Sequence, residues 1–392
     1  MLGLLLARAG IKVTVLEKHK DFFRDFRGDT IHTSTLEVLR ELDLLDAFLH
    51  LPHQKAYSLS ASFGDERLTM ADFRHLPTPC KYVAFMPQWD FLDFLARQAK
   101  RYPTFTLRME TKAKGLLRSH GRVSGVQVKT PHGLEDIHAD LVVACDGRHS
   151  ELRHQSGLPV IDLGAPIDAL WFRLPREKTD SQDQLVGRLD RGQLLAMIDR
   201  GDYWQCAYVI PKGSFTALQQ RGLPALHTDL ERLVPFAASR MATAIRSFDD
   251  LKLLEVQVNR LHRWHAPGFL CIGDAAHAMS PVGGVGINLA IQDAVAAANL
   301  LAPALKHGTV SDRLLEQIQA RRERPTKMIQ GFQIRAQAFL FETVLKSDGP
   351  LRAPWFLRLI TRLPGLRALI PRFIALGPRR EHVSREHVAP LT

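Results

Sequence analysis

The feature that most constrains this chain is a glycine-rich loop between a buried strand and an alanine-rich helix. Residues 269–272 are apolar and predict the strand, and residues 287–305 predict the helix. The loop residues that carry the pattern are Gly273, Asp274, Pro281, Gly283, Gly284, Gly286, Ile287 and Asn288. Such a loop presents unpaired backbone N–H groups and the positive end of the helix dipole, so it favours an anionic ligand. Asp274 is suited instead to accept hydrogen bonds from sugar-alcohol hydroxyls.

A second loop of the same kind follows residues 140–145, which read as a buried strand. It contains Asp146, Gly147, Arg148, Ser150 and Arg153. Glycine permits a tight turn, the aspartate can accept backbone N–H groups, and serine or arginine can meet a phosphate. The chemistry of the turn alone would also explain the Asp-Gly pair.

The beginning of the chain reads as helix, glycine and strand. Residues 2–9 are helical in composition, Gly10 is placed to end that helix, and residues 11–17 are β-branched and end in Glu17. This order is the second half of a βαβ dinucleotide-binding unit. Glu17 could accept hydrogen bonds from both hydroxyls of an adenosine ribose, although an acid at a strand end is also common as a solvated loop residue.

Between residues 158 and 265 the pattern changes to short strands separated by turn signals, followed by two helices. We therefore predict an α/β protein with a dinucleotide-binding, Rossmann-like domain, an inserted mixed β-sheet domain and a helical C-terminus. The predicted boundaries are 1–157 and 266–330 for the two parts of the dinucleotide-binding domain, 158–265 for the inserted substrate domain and 331–392 for the C-terminal region.

The chain carries 52 Lys and Arg against 41 Asp and Glu, a formal net charge of +11. Such an excess can attract nucleic acid, an anionic membrane or an anionic cofactor. No basic run interleaved with aromatic residues appears, so we expect no nucleic-acid partner. The charge fits an enzyme that handles negatively charged dinucleotides.

The four cysteines, Cys80, Cys145, Cys206 and Cys271, are isolated and lack metal-ligand or Cys-x-x-Cys spacing. This pattern predicts neither a metal site nor a disulfide framework, and it favours a reducing, cytoplasmic location. Cys145 and Cys271 lie in apolar runs, and we expect both to be buried.

In their order and spacing, these motifs resemble the FAD-dependent monooxygenases that include p-hydroxybenzoate hydroxylase and related phenol and polyketide hydroxylases. The resemblance runs from Met1 to about residue 330, and it implies FAD as the cofactor. It assigns Glu17 to the adenosine ribose, Arg27 to the neighbourhood of the flavin, and Gln88 to the ribityl and phosphate region. It further implies cofactor-binding roles for Asp146, Gly147 and Arg153 of one motif, for Gly273, Asp274 and Pro281 of another, and for Gly286, Ile287 and Asn288 beside the flavin ring.

The resemblance also implies a reaction. NADPH or NADH would reduce the flavin, O₂ would form a flavin C4a-hydroperoxide, and an aromatic or similar electron-rich small molecule would be hydroxylated. We assign no catalytic acid or base. His53, Tyr208 and His277 are candidates, but a lone histidine or tyrosine is more often structural.

Three other functions stay open from the sequence. Flavin-dependent halogenases share much of this scaffold, but residues 204–211 contain only one tryptophan of their Trp-x-Trp-x-Ile-Pro signature. A flavin reductase or dehydrogenase without oxygen transfer is a second alternative. A cofactor-free binding protein descended from such enzymes is the third.

The family begins with a strand and a Gly-x-Gly-x-x-Gly loop, which here would precede Met1. The loop would present its N–H groups to the FAD pyrophosphate, and the strand would lie in the middle of the sheet. We therefore expect the 392 residues by themselves to bind FAD poorly and to aggregate.

Residues 350–380 carry seven arginines and no acid, alternating with apolar residues. A basic amphipathic pair of short helices could lie on an anionic membrane. We expect instead that its apolar face packs on the body of the protein or on the second subunit of a homodimer, with the arginines solvated.

Overall fold

The computed structural model describes residues 1–23, 30–180, 185–308, 310–363 and 368–385. The helices are α1 (Leu2–Arg8), α2 (Thr33–Glu41), α3 (Leu45–Leu49), α4 (Gln88–Ala99), α5 (Glu151–Ser156), α6 (Phe215–Arg221), α7 (Leu223–Leu233), α8 (Ala238–Ala244), α9 (Gly286–Lys306), α10 (Asp312–Phe339), α11 (Trp355–Arg362) and α12 (Leu369–Leu376). A π-helical segment, Leu340–Leu345, follows α10.

The strands are β1 (Val13–Leu16), β2 (Thr30–Ile31), β3 (Gln54–Ala56), β4 (Ser58–Phe63), β5 (Glu66–Asp72), β6 (Val83–Phe85), β7 (Phe105–Arg108), β8 (Lys112–Ser119), β9 (Arg122–Thr130), β10 (Gly133–His138), β11 (Val142–Ala144), β12 (Val160–Asp162), β13 (Ile167–Pro175), β14 (Leu185–Asp190), β15 (Gln193–Asp199), β16 (Tyr203–Pro211), β17 (Lys252–Leu254), β18 (Asn259–Leu261), β19 (His265–Ala266) and β20 (Phe269–Cys271).

Parallel pairs of short strands form the centre of the nucleotide-binding part. β1 pairs with β7, and β11 pairs with β20. Among the described residues these pairs belong to two separate sheets. Helix α1 ends as predicted, since Gly10 follows it with a φ of +83°, a conformation that glycine adopts without strain. Helices α1, α9 and α10 cover the strands and contribute to one large apolar core.

Helix α9 is apolar because it lies inside the fold. The segment Val282–Lys306 is long and apolar enough to cross a membrane, but 72% of its most apolar stretch of 18 residues is buried in the structure. Its alanines pack at close range against the core, and Ala296 and Ala297 are fully buried. These features are those of a core helix.

A seven-stranded sheet forms the second layer, in the order β17-β13-β16-β15-β14-β4-β5. Helices α6, α7 and α8 cover one face, where Leu170, Leu195 and Met241 are buried together. The strands β13 to β16 lie where the sequence predicts them. The sheet extends beyond residues 158–265, because β4 pairs in parallel with β14 and brings β5 with it.

The cysteine prediction is correct for Cys271 and wrong for Cys145. Cys271 ends β20 and is buried, whereas Cys145 is exposed. Cys145 comes directly after the last residue of β11, where the chain leaves the sheet and enters the Asp146–Gly147 turn. The apolar run, residues 141–145, therefore extends one residue beyond each end of the strand.

Candidate functional site

Gly273 begins the first loop of the site with a backbone conformation that favours glycine. Its φ is +58°, and the loop continues as a single turn over Gly273–Ala275. A Cβ atom at Gly273 would lie 2.9 Å from the Cβ of Ala290 in α9. The loop after β20 therefore lies directly against α9, and only glycine permits this approach.

A second tight turn, introduced by Pro281, leads into α9. The turn Val282–Gly284 contains two residues with positive φ, and a Cβ atom at Gly284 would approach Thr30 Oγ1 to 2.9 Å. The first bond of the helix runs from the Leu289 N–H to the Val285 carbonyl, at 3.0 Å. The backbone amides of residues 286–288 thus lie in the first turn, where an α-helix leaves N–H groups without an intrahelical acceptor.

Asp274 lies beside this helix terminus. A Cβ atom at Gly286 would be 4.0 Å from Asp274 Oδ1, so the carboxylate and the start of α9 share one small space. On its other side, Asp274 Oδ2 lies 3.4 Å from Nη2 of Arg148, and both side chains are partly exposed. The structure therefore brings a carboxylate, an arginine and a helix N-terminus together.

The second predicted loop adjoins the first. Gly147 has a φ of +88°, and Asp146 is exposed. Ser150 caps α5 by accepting the Arg153 N–H at 3.0 Å. The Arg153 guanidinium donates to the carbonyl of Arg148 at 2.6 Å and to the carbonyl of Ala275 at 3.3 Å. Arg153 thereby joins the two loops.

Replacing Arg153 with methionine is expected to lower the free energy of unfolding by about 1.5 kcal/mol, because hydrogen bonds from a charged donor to two carbonyls are lost. Methionine keeps most of the aliphatic stem. Urea unfolding followed by circular dichroism measures the change, and Arg118→Met, at an exposed position of β8, is the control. A loss no larger than that of the control would contradict the joining role.

The side chain of Asn288 is directed into the protein. Asn288 is buried, and its Oδ1 accepts from the His32 N–H and from the Thr35 hydroxyl, each at 2.8 Å. Its Nδ2 donates to the Thr30 carbonyl at 2.9 Å. The Asn288 side chain thus fixes α9 to the start of α2. The group of Asn288 that can donate a hydrogen bond to a flavin is therefore its backbone N–H.

Glu17 and Gln88 belong to elements outside the two loops. Glu17 follows β1, and its Oε1 accepts the His19 N–H at 2.9 Å. Gln88 is the first residue of α4, and the ring of the next residue, Trp89, contacts that of Phe23 in a tilted arrangement, with ring centroids 4.9 Å apart. The start of α4 therefore contacts the segment that follows Glu17. Arg27 lies outside the described residues.

Sequence reasoning missed a buried ionic network behind the loops. Asp293 Oδ2 accepts the Gly273 N–H at 3.1 Å and lies 2.6 Å from Nε2 of His277. Asp293 Oδ1 accepts from Nε of Arg322 at 2.8 Å. Arg322 in turn contacts Glu381 at 3.3 Å, and all four side chains are essentially inaccessible to solvent. The network joins the first loop, α9, α10 and the C-terminal segment.

His277 and Arg322 keep Asp293 ionised. Burial by itself would raise the pKa of this carboxyl, but His277 and Arg322 hold it below its usual range. One signal in the sequence could have revealed it: an acid in the middle of an otherwise alanine-rich helix needs a partner when it is buried.

The structure also explains the histidine and tyrosine candidates. His277 belongs to the buried network, and its ring packs 4.9 Å from that of Trp264. Tyr208 is buried on the sheet face that α6–α8 cover. His53 Nδ1 lies 2.7 Å from the carbonyl of Leu51. Each has a local structural role, and none lies in the space beside Asp274 and Gly286 that the loops enclose.

Comparison with known proteins identifies the family. A protein-family model described as an FAD binding domain matches residues 1–331. The chain is 31% identical over 378 residues to 6-methylpretetramide 4-monooxygenase of Streptomyces rimosus, which covers 96% of this chain and 89% of that protein.

Solved structures share the fold. An anhydrotetracycline hydroxylase from Streptomyces rimosus matches with a TM-score of 0.75 and 23% identity, covering 98% of this chain and 75% of that one. A p-nitrophenol 4-monooxygenase from Pseudomonas putida matches with a TM-score of 0.76 and 18% identity, covering 96% and 95%. The predicted fold class, a Rossmann-like α/β domain with an inserted mixed sheet, is confirmed. The chain belongs to the family of FAD-dependent monooxygenases that carry this FAD binding domain.

Proposed function

We propose that this chain binds FAD and uses NADPH or NADH together with O₂ to hydroxylate an aromatic small molecule. The observation that carries the proposal is the meeting of Asp274 with the N-terminus of α9 at Gly286. A helix N-terminus favours the negative charge of a reduced flavin, and an adjacent carboxylate accepts hydrogen bonds from a polyol chain. The flavin ring and the ribityl chain of FAD would bind to these two groups.

The remaining predicted residues take the other parts of the cofactor in this proposal. Glu17 would accept hydrogen bonds from the adenosine ribose, and Gln88 and Arg27 would serve the phosphate and flavin regions. Asp146, Gly147 and Arg153 would shape the adjoining loop, where Arg153 already joins both motifs through backbone carbonyls. Bound FAD would supply the activation of O₂ and the transfer of one oxygen atom.

The protein's own residues prepare this space in three ways. The network around Asp293 fixes the Gly273 amide, and Asn288 fixes the start of α9 against the segment before α2. Arg148 neutralises Asp274, so a ligand that approaches the carboxylate must compete with, or add to, that ion pair. The sheet would cover the substrate side and limit the access of water.

The proposed substrate class is a flat aromatic with several rings. A relative named for 6-methylpretetramide supports this choice, and the sheet offers a matching surface. Cross-strand pairing places four small residues in one row on the face opposite α6–α8: Ala61, Gly187, Ala196 and Ala207. Trp171 of β13 continues the row beside Ala207. None of these four positions carries a side chain larger than a methyl group.

Flavin titration tests the cofactor proposal. Two proteins would be titrated with FAD. One is the chain of 392 residues, and the other is the same chain preceded by a β-strand and a Gly-x-Gly-x-x-Gly loop taken from a relative. We expect stoichiometric binding of the extended chain and weaker binding of the 392 residues, because the added loop presents N–H groups to the pyrophosphate. Failure of both proteins to quench FAD fluorescence would contradict the proposal and favour a cofactor-free descendant.

A further inference from the structure

Helix α11 and the first residue of α12 carry exposed apolar side chains. Their exposed fractions are 74% for Trp355, 58% for Leu369, 45% for Leu359, 44% for Leu363 and 38% for Phe356. Trp355, Leu359 and Leu363 are spaced four residues apart, so they form one stripe along the helix and its C-terminal cap. We call Trp355, Leu359 and Leu363 the apolar stripe; Phe356 instead packs on Phe339 of α10, with ring centroids 5.9 Å apart. Exposed apolar residues in such a group mark an interaction surface more often than residues scattered singly do.

The opposite side of α11 holds the helix on the protein. Leu357 packs against the core cluster that contains Val344 and Leu351. Arg358 Nη2 lies 2.6 Å from Glu66 Oε2 in β5. Because the inward side is already occupied by these contacts, the stripe faces away from the body. Of the two arrangements expected for this apolar face, packing on the body of the protein does not hold for the stripe, and packing on a second subunit stays a prediction.

The segment that carries the stripe is basic, and Glu66 of β5 is paired with its Arg358. Residues 349–380 contain seven arginines and no acid. In the described part of this segment, Arg352, Arg362 and Arg372 are exposed. The surface therefore combines an aromatic and aliphatic stripe with positively charged arginines. The whole chain is also basic, with a net charge of +11.

The combination of apolar and basic residues favours an anionic lipid surface over a second copy of the chain. In a two-fold symmetric dimer the same patch meets itself, so Arg352, Arg362 and Arg372 would approach the like charges of the second copy. An anionic lipid surface instead supplies negative charge across its whole area, and it accepts Trp and Leu side chains at the boundary between headgroups and acyl chains. We propose that α11 and the start of α12 form a peripheral binding site for an anionic lipid bilayer.

Vesicle co-sedimentation tests the proposal with the full chain. Wild-type protein is expected to sediment with vesicles of phosphatidylcholine and phosphatidylglycerol, and much less with phosphatidylcholine alone. Added salt should weaken the binding, since screening shortens the reach of the arginine charges. The double variant Trp355→Ser, Leu359→Ser should lose at least about tenfold in vesicle affinity, because two apolar side chains no longer enter the bilayer.

The matched control is Leu134→Ser, which removes an apolar side chain that is 66% exposed on β10. It should bind vesicles like the wild type. Both variants should keep the wild-type melting temperature, because the replaced side chains lie on the surface. Wild-type protein that ignores anionic vesicles would overturn the proposal, as would unchanged binding by a folded double variant. A concentration-dependent dimer that the double variant abolishes, without vesicle binding, would assign the stripe to a second copy of the chain instead.

Discussion

Replacing Asp293 with alanine is expected to lower the free energy of unfolding by about 3–5 kcal/mol, the usual cost of removing one partner from a buried ion pair. The substitution leaves the Arg322 guanidinium buried beside a single remaining carboxylate, Glu381. It also removes the acceptor of the Gly273 N–H and of the His277 ring. Because the pKa of Asp293 is held low, its contribution is present above pH 4 or so, the unfolded-state pKa, and is lost as the pH falls further.

Urea unfolding at neutral pH measures this loss, and Asp348→Ala is the control. Asp348 is exposed, so its replacement should change stability by less than about 0.5 kcal/mol. Since Asp293 also fixes the Gly273 loop, the variant should bind FAD less tightly even under conditions where it remains folded. An Asp293→Ala protein within 1 kcal/mol or so of the wild type would show that Asp293 is not the central member of the network.

Asp274→Ala is expected to weaken FAD binding by about ten- to a hundredfold, which corresponds to the loss of roughly 1.5–3 kcal/mol from hydrogen bonds to a charged acceptor. Glu17→Ala should have a smaller effect. Asp274 lies against the start of α9, where the middle of the cofactor is proposed to bind, whereas the adenosine end of FAD is expected to be more exposed.

Fluorescence titration measures the FAD dissociation constant of each variant. The substitutions are made in whichever of the two proteins, the chain alone or the extended chain, binds FAD. Asp274→Asn is the matched variant, because it retains an acceptor oxygen but removes the charge that Arg148 neutralises. It should retain part of the affinity. Equal losses for Glu17→Ala and Asp274→Ala, or a larger loss for Glu17→Ala, would place Asp274 away from the ribityl chain.

The loops could be predicted from the sequence because their constraints are local. A glycine with positive φ, such as Gly147, is specified by its own turn, and the order of the motifs along the chain indicates which ligand they bind. The strands of the sheet were predictable for the same reason. The membership of β4 and β5 in that sheet was not, because a hairpin shows its internal pairing but not its partner β14.

Side-chain partners distant in sequence account for most of what could not be predicted. The Asp293–Arg322 pair joins residues 29 positions apart, and the bond from the His32 N–H to Asn288 joins residues 256 apart. His32 is a further example, since Nδ1 lies 2.8 Å from the Ile374 carbonyl and burial lowers the pKa of its ring to about 4. Nothing in the neighbouring residues distinguishes such a histidine from a solvated one.

Isotope incorporation tests the central claim most directly. The FAD-loaded protein would be incubated with NADPH or NADH, ¹⁸O₂ and a panel of polycyclic phenols, and the products would be analysed by mass spectrometry. We expect one ¹⁸O atom in the hydroxylated product and faster oxidation of the nicotinamide when the substrate is present. Oxidation of NADPH or NADH with no ¹⁸O in any organic product would contradict oxygen transfer for the compounds tested and would favour a reductase.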